Sequence, residues 1–199
     1  MNKKFLRIFS VCAVLFVLTA ALSSCGKSND EVKKESGEAF SAVIDAFKSG
    51  DAQQIKSYCL SPEALGEDTE IKSAVLSSLG NITYEIKEIT VNDSKNVTVN
   101  ADITMIDSSK VMEKYIENIV ALVSSAEYQS KLSSMERDEY QKLMNEEFEK
   151  VLNGGEIPTA TKNLDVSMRL DGDKWKLVGS ELTDTLVTNT VNAISQIRQ

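Results

Sequence analysis

Between Val97 and Met105 apolar and polar residues alternate at every step. Val97, Val99, Ala101, Ile103 and Met105 take one side, and Thr98, Asn100, Asp102 and Thr104 the other. A period of two is the period of a strand, so one face of this segment is buried and the other is wet. That combination belongs to antiparallel sheet, because parallel strands are covered on both faces. Just upstream, Ile82, Tyr84 and Ile86 alternate with polar residues, the phase slips at Lys87-Glu88, and the pattern resumes with Ile89 and Val91. One extra residue in a strand marks a β-bulge, which bends the sheet. Asn92-Asp93-Ser94-Lys95 reads as the turn between the two strands. Strand pattern returns at Leu164, Val166, Met168 and Leu170. Asp171-Gly172-Asp173 is a hairpin signal, and Lys174-Trp175-Lys176-Leu177 begins the last strand.

Elsewhere the period is 3.6. Val32, Ser36, Ala39, Phe40, Val43, Ile44 and Phe47 make the stripe of a first helix. Gly50 suits the position after that helix, and Asp51 with Gln54 suits the cap of the next, which carries Ile55, Tyr58 and Cys59. Ser61-Pro62 looks like a cap with proline at the first helical position. A third helix, about 68 to 79, puts Ile71, Val75, Leu76 and Leu79 on one face. Between the strand pairs lies a long helical insert, 109 to 155. One stripe is Val111, Met112, Tyr115, Ile116, Ile119, Val120 and Val123; the other is Tyr140, Leu143, Met144, Phe148, Val151 and Leu152. The spacing predicts a hairpin of two long helices, broken near 124 to 134, that packs on itself and on the sheet's rim as a lid or docking surface. A last helix carries Leu186, Val187, Thr190, Val191, Ile194 and Ile197.

The N-terminus reads as an export signal. Lys3, Lys4 and Arg7 precede an apolar run from Phe9 to Leu22, and Ser23 and Ser24 lead into Cys25. The run is shorter than the roughly 20 residues of a spanning helix. Leu22-Ser23-Ser24-Cys25 resembles the bacterial lipobox, Leu-small-small-Cys. The resemblance implies that Cys25 receives a diacylglycerol, that the processing enzymes cut between Ser24 and Cys25, and that the mature chain is held on the extracytoplasmic face of the cell membrane. Residues 25 to 31 are polar and read as a lipidated tether, and 32 to 199 as the domain.

Removing 24 of the 199 residues leaves 175, enough for one domain with a real core but too few for a two-lobed solute receptor of ordinary size. Three of the 22 basic residues lie in the signal, which leaves 19 against 30 acidic. So acidic a domain is repelled by anionic lipid and argues against nucleic acid as a partner. Of the three cysteines, Cys12 departs with the signal and Cys25 is consumed by lipid. Cys59 remains, on an apolar helix face, and reads as buried and inert. The chain has no histidine, which removes the commonest general base and metal ligand. Asp102, Asp107 and Glu113 are the nearest approach to a carboxylate cluster, but alternation puts Asp102 on a wet face and Asp107 suits a helix cap. Asp171, Gly172 and Asp173 have calcium-loop composition without its downstream ligands. Asn81-Ile82-Thr83 and Asn96-Val97-Thr98 match the glycosylation tripeptide and are read as chance. No cofactor, metal or catalytic residue is expected.

Ala39-Phe40-Ser41-Ala42-Val43-Ile44-Asp45-Ala46-Phe47-Lys48-Ser49-Gly50-Asp51 and Leu170-Asp171-Gly172-Asp173-Lys174-Trp175-Lys176-Leu177, with the order of elements between them, resemble the lipoproteins of the NTF2-like superfamily found in Gram-positive bacteria. The resemblance spans about residues 32 to 180. It implies an α+β fold: N-terminal helices packed on a strongly curved antiparallel sheet that forms a cone, here with the helical insert and a C-terminal helix added. It also implies a pocket in the mouth of the cone, for which Tyr84 and Trp175 are the candidate lining residues. Superfamily enzymes place Asp, His and Tyr in that pocket, and none of those catalytic positions can be matched here. The resulting expectation is a non-catalytic module that binds a small ligand or peptide. The alternative is an interaction protein that docks onto another envelope protein through the insert.

Overall fold

A computed structural model describes residues 27–67, 69–132, 134–154 and 158–197. The export signal, Ser24 and Cys25 lie outside the described residues. Helix α1 (Asn29–Ser49) starts where the Ser28 hydroxyl accepts a hydrogen bond from the Glu31 N–H, three residues earlier than the boundary read from the sequence. Its stripe is buried as the spacing predicts, and the buried Ser36 hydroxyl donates to the Val32 carbonyl at 2.7 Å. Gly50 ends it with φ 69°, where a side chain would be strained, and its N–H bonds the Phe47 carbonyl. Asp51 caps α2 (Ala52–Ser57), accepting from the N–H groups of Gln53 and Gln54. A short 3₁₀ turn (Pro62–Leu65) leads to α3 (Glu70–Ser77), capped by Thr69 and extended by a second 3₁₀ turn, Ser78–Asn81.

Four strands follow the order β1 (Thr83–Asp93), β2 (Asn96–Ile106), β3 (Thr159–Asp171) and β4 (Lys174–Leu177), each antiparallel to the next in one open sheet. The bulge sits where the phase slips: Ile86 pairs with Ala101 and Glu88 with Asn100, leaving Lys87 over. Gly172, with φ 66°, turns the β3–β4 hairpin. The five inward residues of β2, from Val97 to Met105, are all buried. β3 begins five residues before its apolar alternation, because Thr159 to Asn163 pair with β2 without burying a side chain deeply.

The insert has three helices: α4 (Ser108–Ser124), α5 (Ala126–Leu132) and α6 (Arg137–Asn153). The expected break is present, with α5 as an extra short helix inside it. The two long helices pack into the core and not only onto the sheet's rim. Val111 and Tyr115 of α4, and Met144, Phe148, Val151 and Leu152 of α6, belong to the same buried cluster as Phe40, Phe47 and the inner face of β2. The stripe on α4 is only half covered: Ile116 is 46 % exposed and Val120 56 %. The C-terminal helix α7 runs through Glu181–Thr183, a π-helical turn at Asp184–Thr188, and Asn189–Ile197. It buries Leu186, Val187, Thr190 and Ile194, and Thr190 donates to Ser108 at the start of α4. Among the described residues no helix is long and apolar enough to cross a membrane.

The outer face of the sheet carries a polar ladder. The Asn100 amide donates to Asn163 Oδ1 at 2.9 Å and to Asp165 Oδ1 at 2.7 Å, and the Asn163 amide donates to Asp102 Oδ1 at 2.7 Å. The bulge residue Lys87 reaches Asp102 at 3.2 Å and Glu85 at 2.6 Å. The buried inner face sets the register of the sheet, and cross-strand pairs of this kind reinforce it.

Candidate functional site

A cleft of about 420 Å³ lies between the start of the described chain, α1, the end of α2 and the β3–β4 hairpin. Its floor is Trp175. In the four-residue strand β4, alternation turns Trp175 and Leu177 inward and leaves Lys174 and Lys176 toward solvent. The short strand is held in place from its far side. The Leu177 N–H donates to the Tyr58 carbonyl at 2.8 Å, and the Leu60 N–H donates to the Leu177 carbonyl at 3.0 Å. Glu35, Glu38 and Ala39, three and four residues apart on α1, present one helix face as the opposite wall.

Lys27 closes one end. Its ammonium donates to both Glu35 oxygens, at 2.6 and 2.5 Å. That hydrogen bond, reinforced by the charge on Lys27, holds the Glu35 carboxyl below its ordinary range against the opposing effect of partial desolvation. The indole N–H of Trp175 adds a smaller pull in the same direction, yet it makes no hydrogen bond of good geometry. Trp175 is 5 % exposed, and its Nε1 is buried without a partner. Leaving a buried donor unpaired costs about 1–3 kcal/mol, and this one is sealed beneath the cleft beside Glu35. The rim of the cleft carries both lysines and carboxylates.

The other candidates fall apart in space. Tyr84 is on β1, at the opposite edge of the sheet from β4, and packs edge to face on Phe40 with ring centroids 5.6 Å apart. It is not among the residues that line the Trp175 cleft. Asp107 caps α4 through the N–H groups of Ser109 and Lys110, Glu113 pairs with Lys110, and Asp102 belongs to the outer ladder. Asp171 is tied to Lys176 at 2.8 Å across the hairpin. Among the described residues no three of His, Cys, Asp and Glu are placed to hold a metal ion. Cys59 is buried, its thiol 3.4 Å from the Ile55 carbonyl, and burial pushes its pKa up. Reading the sequence singled out Trp175 but passed over Lys27 and Glu35; their pairing joins residues eight apart across a helix start, and no motif marks it. A comparison with known proteins finds no match for this chain among protein families, curated proteins or solved structures.

Proposed function

We propose that this chain is an exported bacterial lipoprotein, anchored to the extracytoplasmic face of the cell membrane through diacylglycerol on Cys25, whose domain is a non-catalytic binding module for a small ligand or peptide. The anchor reading rests on Leu22-Ser23-Ser24-Cys25 at the end of an apolar run. The binding reading rests on one observation: the Trp175 cleft combines an aromatic side chain in its lining with charges of both signs. An NTF2-like cone fits the order of helices and antiparallel strands. The inner face of the sheet is filled by the β2 side chains under α1, so the ligand is assigned to the Trp175 cleft at the sheet's edge.

The test is purification of the tagged protein from its native envelope, with mass spectrometry of co-purifying proteins and small molecules. A small molecule released from the wild type and missing from Trp175→Ala is the expected result. No small molecule, with a stoichiometric protein partner in its place, favours the second reading, docking through the insert. That reading draws on Ile116 and Val120, the large exposed apolar side chains of α4.

A further inference from the structure

The Trp175 cleft opens close to the proposed anchor. Lys27 lines it and is bonded to Glu35, and Cys25 stands two residues before Lys27 in the chain. Two residues of fully extended chain span no more than about 7 Å. If Cys25 is acylated, the cleft is therefore held at the headgroup layer of the bilayer. The expected seven-residue tether shrinks accordingly, because α1 already begins at Asn29.

The rim carries equal numbers of opposite charges, Lys27, Lys174 and Lys176 against Glu35, Glu38 and Asp173. Lys27 is engaged by Glu35, and Lys176 by Asp171 at 2.8 Å. Lys174 and Asp173 lie exposed beside each other at the mouth of the cleft. A balanced rim of this kind offers a simple anion as much repulsion as attraction. It suits a zwitterion, whose cationic end meets carboxylates while its anionic end meets ammonium groups.

We propose that the cleft binds the phosphoethanolamine headgroup of a membrane lipid beside the anchor, with the phosphate accepting from Lys174 and the ammonium donating to Glu38 and Asp173. The assignment to a lipid rests on the anchor reading of Cys25; the preference for a zwitterion rests on the cleft alone.

Trp175 is the only tryptophan of the 199 residues, so intrinsic emission reports directly on the site. The full chain in detergent is titrated with O-phosphoethanolamine, inorganic phosphate and ethanolamine. The expected result is a saturable emission change with O-phosphoethanolamine at concentrations at least ten-fold below those needed with either fragment. Lys174→Ala and Asp173→Ala, both at exposed positions, should each weaken it at least ten-fold. No response, or a response to phosphate alone as strong as to the zwitterion, overturns the proposal. In vesicles, the same emission change should appear with phosphatidylethanolamine and not with phosphatidylglycerol. A response to the soluble zwitterion that phosphatidylethanolamine vesicles fail to reproduce overturns the lipid source. The soluble titration does not involve residue 25, so Cys25→Ala must retain it. An unacylated wild type with its titration intact defeats the anchor reading alone.

Discussion

The rings of Tyr115 and Phe148 meet edge to face, with centroids 5.6 Å apart and planes at 83°, and both are fully buried. They join α4 to α6, and the Tyr115 hydroxyl donates to the Met144 carbonyl at 3.4 Å. The pair lies within the one hydrophobic core, continuous with α1 and the sheet. The insert is thus a wall of the domain. Phe148→Ala should destabilise it by about 3–5 kcal/mol. Replacing residues 109 to 155 by a short Gly-Ser turn should prevent folding, which the loss of a cooperative thermal transition would show. A truncated protein that still unfolds cooperatively would mean that the core closes without the insert.

A second prediction separates the two faces of β2. Ile103→Asp places an unpaired charge where the side chain is fully buried, and should unfold the domain or destabilise it by several kcal/mol, on the order of 4. Asp102→Ala, one residue away, removes an outer-face acceptor for Asn163 and Lys87 and should have a far smaller effect. Denaturant midpoints of the two variants decide this, and equal shifts would contradict the strand register.

The outer ladder also sets a pH dependence. Hydrogen bonding from Asn163, then from Lys87, holds Asp102 below its ordinary value of 3.8. A carboxylate with a depressed pKa in the folded state stabilises above its unfolded value, and that contribution is lost as pH falls through the folded value. Glu85 first, then Asp102, raise Lys87 above 10.5, so its share is lost only as pH rises past that value. Between about pH 5 and 9 the ladder should be indifferent to pH. Urea midpoints should fall at acid pH, and the fall should be shallower in Asp102→Asn. An acid limb unchanged by that substitution would place its cause elsewhere.

Cys59 supplies a simpler probe. Its side chain is buried and its pKa raised by burial, so the thiolate is scarce. A thiol reagent should modify it slowly in the native protein and promptly in denaturant. Prompt native labelling would contradict the packing of residues 58–60 on β4.

Local signals carried the parts of the fold that were legible in sequence. The alternation of Val97 to Met105, the phase slip at Lys87, the Gly172 turn and the Asp51 and Asp107 caps each need only a few neighbouring residues, and each appears as read. What could not be read depends on distant partners. Thr159 to Asn163 become strand because β2 supplies the other half of the ladder, although their own side chains show no period. The broad stripe on α4 gave no sign of which residues its neighbours would cover, and the structure buries Tyr115 and leaves Val120 exposed. The site divides in the same way. Trp175 stands out as the sole tryptophan, whereas Lys27 and Glu35 acquire meaning only once α1 lies against β4.

The account turns on Cys25. The most direct test is mass spectrometry of the N-terminal peptide from protein extracted from native membranes, beside a Cys25→Ala variant. The account predicts a chain that begins at Cys25 and carries the mass of a diacylglyceryl group, and a variant that stays as unprocessed precursor without lipid. A wild-type chain that retains residues 1 to 24, or that begins at Cys25 with a free thiol, would contradict it.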